Sequence, residues 1–214
     1  MTSPRLVKGG IVQVDPISGR PQRVIALQYN PDSLTRTLQV QSSGADGSDK
    51  SQALRLKGAA VETLKLEAEI DATDRLEFPD QNASTVSNGI HPQLAALEVL
   101  VHPTSEALQT NEALSAFGIL EVLPLQAPLT LFVWGRNRIV PVRVTDLSVT
   151  EEAFDAALNP IRAKVSIGMR VLSVDDLGFD HRGGTLFMGY LRAREAMAAT
   201  AGSVALSALG LEVI

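Results

Sequence analysis

His91, His102 and His181 are the chain's three histidines, and metal or acid–base chemistry would have to start from them. His91 and His102 are each followed by proline and bracket a short helical pattern. Eleven residues along a helix put them ~16 Å apart, too far to share one metal ion. His181 opens the run His181-Arg182-Gly183-Gly184, which reads first as a linker turn before a helix. Acidic residues pair as Asp71 with Asp74, Glu151 with Glu152 and Asp175 with Asp176. None has the alternating oxygen-ligand spacing of a calcium loop. Glu67 and Glu69 share one face of a strand and read as solvated. The sequence has no nucleophile elbow, no phosphate-binding loop and no dinucleotide fingerprint. It has no cysteine, so disulfides, thiolate metal sites and a Cys nucleophile are excluded. The expectation is a non-enzyme with no cofactor and no metal.

The elements that would position any site are mainly strands. From Ile161 to Val171 every odd residue is apolar, with Arg162, Lys164, Ser166, Gly168 and Arg170 between them. That period of two predicts a strand with one buried face. Leu64, Leu66, Ala68 and Ile70 repeat it. Leu34, Leu38 and Val40 repeat it with Arg36 as an interruption. Residues 24–29 form a continuous apolar run, which predicts a strand covered on both faces. Residues 11–14 are a weaker candidate. Residues 129–134 and 139–149 read as a hairpin around Gly135-Arg136-Asn137. The second arm shifts parity between Val144 and Leu147, which predicts a β-bulge near Thr145-Asp146. Pro141 predicts an edge strand or a bend.

Helices are few. Leu94, Leu97, Leu100 and Val101 have helical spacing over residues 92–101, with Pro92 in the first turn and Pro103 just past the end. Further helices are expected over residues 185–200 and 104–117. Residues 42–52, 73–89 and 175–184 read as loops. The expected fold is mainly β with one or two helices, an α+β β-barrel or sandwich around a central helix. A domain over residues 1–174 would be followed by a separable Ala-rich helical extension, an interaction tail, over residues 175–214.

The bulk numbers agree. The chain has 214 residues, 45% of them hydrophobic but only 4% aromatic, so Leu, Val, Ile and Ala must build its core. A net charge of -5 argues against nucleic acid as a partner. Residues 196–211 are weakly charged, but as a helix span only ~24 Å, short of a bilayer core. Membrane contact is not expected. The start, MTSPRLVKGG, contains no apolar leader. The Arg162, Lys164 and Arg170 stripe leaves three readings open: a solvated face, an intersubunit contact or a polyanion site.

An ordered set of short motifs carries a resemblance. Tyr29-Asn30-Pro31 ends an early strand. Arg55-Leu56-Lys57-Gly58 leads into the strand that ends at Ile70-Asp71. Then come Pro128-Leu129-Thr130-Leu131-Phe132-Val133-Trp134-Gly135 and Asn159-Pro160-Ile161-Arg162-Ala163-Lys164-Val165. Over residues 24–172 this order resembles the tube and baseplate tube-adaptor proteins of contractile injection systems, which are phage-tail-like particles. Tyr29 stands where that family usually has Phe, and nothing after Val174 resembles its LysM module.

The resemblance implies a hexameric ring of copies joining baseplate hub or spike to the inner tube. It implies the inner tube, the hub or spike and wedge proteins as partners. Synthesis in the cytoplasm would precede incorporation into an intracellular or released particle. The loop over residues 42–57 is the expected contact, with Gly44, Asp46, Lys50, Leu54 and Leu56 as candidates. Arg162, Lys164 and Arg170 are candidates on the strands, and Phe187 and Tyr190 on the C-terminal extension. The alternative is a monomeric soluble β-barrel that binds a ligand or partner.

Overall fold

The structure is a computed structural model, and it describes residues 6–42, 55–116, 127–202 and 206–209. Seven strands form one antiparallel sheet: β1 (Gly10–Val14), β2 (Pro21–Ala26), β3 (Leu34–Gln39), β4 (Val61–Asp71), β5 (Leu129–Val133), β6 (Ile139–Phe154) and β7 (Pro160–Val171). Their order is β2-β1-β5-β6-β7-β4-β3. The strands with the clearest alternation, β4 and β7, lie side by side with Leu66 opposite Ile167 and Ala68 opposite Val165. Period-two patterning puts both apolar sets on one face, where they are buried. The expected bulge is present, because the β6–β7 register shifts between Val144 and Asp146.

Helices accompany the sheet, and two of them, over residues 91–98 and 182–200, bury side chains against its apolar face. The helices are α1 (Thr73–Leu76), α2 (Ala83–Asn88), α3 (His91–Glu98), α4 (Ser105–Ala116), α5 (Val174–Leu177) and α6 (Arg182–Thr200). Leu94 and Leu97 of α3, and Phe187 and Tyr190 of α6, join most of the buried sheet residues in the main core, while Val14, Leu129 and Leu131 form a second, smaller cluster. Each such side chain contributes about 1.5–3 kcal/mol by leaving water. No helix among the described residues is long and apolar enough to cross a membrane.

Four expectations need correction. The sheet is open rather than a closed barrel, with β2 and β3 as its margins. The apolar run over residues 24–29 is not covered on both faces. It leaves β2 at Ala26, and Val24 is 65% exposed because β2 has a neighbour on one side only. Pro141 is not at an edge. It is fully buried in β6, between β5 and β7. Its carbonyl accepts from Leu172 N, just past the end of β7, so its missing N–H faces the place where the ladder stops. Residues 73–89 are helical despite their polarity, because their turns are closed locally. Ala72 O accepts from Arg75 N and Leu76 N, and Asn82 O accepts from Thr85 N and Val86 N.

The chain just past β2 reaches the end of β4. Gln28 Nε2 donates to Asp71 O (2.6 Å) and Gln28 Oε1 accepts from Asp71 N (3.1 Å). The side-chain amide thus stands in for a strand partner at the end of β4. The Asp71 carboxylate accepts from Thr73 N, Thr73 Oγ1 and Arg162 Nε. Partial burial opposes its ionisation, but the Thr73 and Arg162 hydrogen bonds outweigh that and hold the carboxyl below the usual range. A lowered folded pKa makes a contribution that is full above the unfolded value near 3.8. It is lost as the pH falls through the lower folded value. Asp71→Asn should therefore melt below the wild type at neutral pH, and the two melting curves should converge in strong acid.

The extension expected to begin at residue 175 is anchored at its start. Ser173 and Asp176 form a capping box around α5. Gly184 in α6 lets the helix press on residue 178, since a Cβ there would lie 1.9 Å from Gly178 O. The last six residues of α6, from Glu195 onward, are exposed.

Candidate functional site

Two sheet margins are the surfaces most open to another chain. On one, β3 pairs only with β4, and most of its residues are exposed. The ladder runs on past the strand: Ser42 bridges Leu56, Lys57 N donates to Gln41 O (2.8 Å), and Gln41 Nε2 donates to Ala59 O (2.7 Å). Leu38, Val40 and Leu56 are exposed along this margin, Leu56 at 71%. Leu56 is thus an expected contact residue that the structure leaves accessible. Gly44, Asp46, Lys50 and Leu54 lie outside the described residues. On the opposite margin, β2 pairs only with β1 and presents Val24. Unpaired strand edges of this kind accept a further strand from a neighbour.

Behind β3 lies a buried ionic cluster. Glu62 sits on the apolar face of β4, opposite Leu38, and is 2% exposed. It accepts hydrogen bonds from Tyr190 Oη (3.0 Å) and Arg194 Nη1 (3.1 Å). Arg36 Nε of β3 stands 3.7 Å away. The Arg194 guanidinium lies over the Tyr190 ring, 5.1 Å from its centre, a cation–π arrangement. Burial first, and then the Glu62 charge, push the Tyr190 phenol up. The cluster joins β3, β4 and α6. It also explains why Arg36 interrupts the apolar pattern of β3, since that side chain answers a buried carboxylate.

The remaining candidates among the described residues are paired or buried within the chain, although Arg170 Nε is buried without a hydrogen-bond partner. Arg162 pairs with Asp71 (2.8 Å) and Glu69 (3.8 Å), Lys164 with Glu152 (2.7 Å) and Arg170 with Asp176 (2.8 Å). The Glu152 carboxylate beside Lys164 raises the ammonium pKa above the usual lysine range. Phe187 and Tyr190 are buried in the core. They hold α6 to the sheet, so little of either is left for a partner. His181 caps α6, its Nδ1 accepting from Gly183 N (3.0 Å).

No family model matches the chain, and no curated protein matches it. Ten chains of solved structures are similar to it, and two of them are described. One is a chain in the tail of an empty GTA particle computed with helical refinement in C6 symmetry. There the TM-score is 0.30 at 11% identity, over 77% of this chain and 90% of that one. The other is a chain in the virion of a native gene transfer agent (GTA) particle, with TM-score 0.29 at 10% identity, over 77% of this chain and 91% of that one. Likenesses of this size carry no argument about what this chain does.

The cavities the chain offers are open. One of about 200 Å³ is lined by Thr35, Thr37, Thr63 and Lys65 on the polar face, among others. A larger one, about 720 Å³, lies beside His181, Arg182 and Ile17. Sequence reasoning missed Glu62, whose period-two position puts it with Leu64 and Leu66 on the apolar face. A lone acid at a core-face position was the available signal.

Proposed function

We propose that the chain is a structural subunit of a phage-tail-like contractile injection system. In this reading copies join side by side in a ring, as an adaptor between the baseplate hub or spike and the inner tube. It has no catalytic role. The observation that carries the reading is that one continuous sheet ends in two exposed, unpaired margins, β2 and β3. A margin of one copy set against the other margin of the next is a heterologous contact, the type that closes into a ring. The ordered motifs over residues 24–172 supply the particular machine. The rival reading, a ligand-holding barrel, lacks an enclosed interior, because packed side chains fill the apolar face.

The test places a charge on each margin. Val24→Lys and Leu38→Lys should each leave a folded chain by circular dichroism and prevent its incorporation into particles. Normal incorporation of both, seen by electron microscopy of labelled particles, would sink the proposal.

A further inference from the structure

The polar face of the sheet is uneven. Toward the start of β7 its cations are spent within the chain, Arg162 on Asp71 and Glu69, and Lys164 on Glu152. Further along, Gly168 takes a place on that face where Arg162, Lys164, Ser166 and Arg170 carry side chains. Lys65 of β4 lies opposite it on one side and Asp146 of β6 on the other. The Cα atoms of Lys65 and Asp146 are therefore two strand spacings apart, about 10 Å. Between them is the open depression of about 200 Å³. The bulge in β6 shapes one wall, because Thr145 and Asp146 together oppose Gly168. A Cβ on Gly168 would lie 3.3 Å from Thr145 Oγ1 and 3.2 Å from Asp146 Cβ, so both side chains stand over the glycine. Bulges and strand glycines recur where a ligand comes close to the backbone.

The polar groups around this depression are unspent. Lys65 and Asp146 make no ion pair among the described residues, with each other or with a third group. Thr35, Thr37 and Thr63 line the other wall, and neither their hydroxyls nor that of Thr145 makes a hydrogen bond among the described residues. The two charges decide what fits. A plain anion drawn to Lys65 would meet the Asp146 carboxylate, and a plain cation drawn to Asp146 would meet the Lys65 ammonium. A zwitterion answers both. One carboxylate is too few for a calcium ion. No aromatic side chain lines the depression, so a sugar ring has no face to stack on. The volume is also below the ~300 Å³ at which pockets for drug-sized molecules begin, which limits the ligand to a small one.

We infer that this depression binds a free α-amino acid, whose carboxylate meets Lys65 and whose ammonium group meets Asp146. The two charged groups of such a molecule sit on one carbon, so it bridges side chains that do not reach each other. The threonine hydroxyls both donate and accept and complete the hydrogen bonding of either end. The inference concerns the chain by itself and does not depend on how copies of it assemble.

Two-dimensional amide NMR of the full-length chain tests this. Glycine is the probe, and acetate and methylammonium are the single-charge controls at matched ionic strength. Glycine should move the amide signals of Lys65, Thr145 and Gly168 saturably, and each control should move them less. Lys65→Met and Asp146→Asn should each weaken glycine binding by about threefold or more. They should also change the preference, since Asp146→Asn then takes acetate as well as glycine, and Lys65→Met takes methylammonium as well. Both side chains are exposed, so each variant should keep the circular dichroism spectrum of the parent. A response to glycine no larger than that to acetate, or one that persists unchanged in both variants, would overturn the inference.

Discussion

Replacing Glu62 with alanine should lower the unfolding free energy by about 2–3 kcal/mol. Removing one member of a buried ionic group typically costs about 3–5 kcal/mol. One feature reduces that here. The Arg194 and Arg36 side chains are 27% and 33% exposed, so both guanidinia can turn to water when the carboxylate is gone. The Tyr190 hydroxyl cannot, and an unsatisfied buried hydroxyl costs about 1–3 kcal/mol. The cavity left by the side chain adds to this. For a chain of this size the loss corresponds to a fall in melting temperature of about 5–10 °C. Glu62→Gln retains the volume and an acceptor for Tyr190, and should cost less than half as much. Calorimetry of both variants checks the ranking, and equal losses would mean that volume rather than hydrogen bonding holds the cluster.

Tyr190 provides a second readout of the same cluster. In a Tyr29→Phe background only Tyr190 remains to titrate as a tyrosine. Its tyrosinate absorbance should develop above the ordinary value of 10.0, and Glu62→Ala should lower the midpoint. A raised folded pKa means that the contribution to stability is full below the unfolded value. It is lost as the pH rises through the folded one. The cluster is therefore a source of stability throughout the neutral range and fails in alkali.

Gly89→Ala should be at least as damaging, at about 3–5 kcal/mol. Gly89 has φ 57° and ψ −132°, a region open to glycine and closed to almost every other residue. An added Cβ would lie 2.2 Å from Pro160 O. That oxygen is backbone and accepts from Ile90 N at 2.8 Å, so it cannot move without breaking the link between α3 and the start of β7. Strain and clash act together here, whereas an exposed glycine such as Gly189, with open space around its Cα, has no clash to relieve. Chemical denaturation of Gly89→Ala beside Gly189→Ala separates the two cases. A loss under ~1 kcal/mol at Gly89 would mean that the backbone there relaxes freely.

The strands and their faces were legible because a period of two is a local property. β4 and β7 could be read from their side chains alone, and so could the bulge between Val144 and Asp146, because parity along one strand records which face is wet. The helix around Leu94 and Leu97 was legible for the same reason at a different period. Residues 73–89 were not, since short helices closed by their own backbone need no apolar stripe. Neither was β2, because an apolar run carries no record of whether a neighbouring strand exists on each side.

The sequence by itself determined the absence of thiol chemistry, the mainly β character and the apolar face of β4 and β7. It also singled out Leu56 as a candidate contact, and the structure leaves that residue exposed. Only the tertiary structure decided that the sheet stays open with β2 and β3 as its margins, since strand order is set by pairings between residues far apart in the chain. It paired Arg162, Lys164 and Arg170 with acids from other positions, and withdrew Phe187 and Tyr190 into the core. It also brought Arg36, Tyr190 and Arg194 around Glu62. Tyr190 and Glu62 are 128 residues apart in sequence, and no local pattern encodes a contact at that separation. Pairing energy depends on distance in space, and folding alone sets that distance.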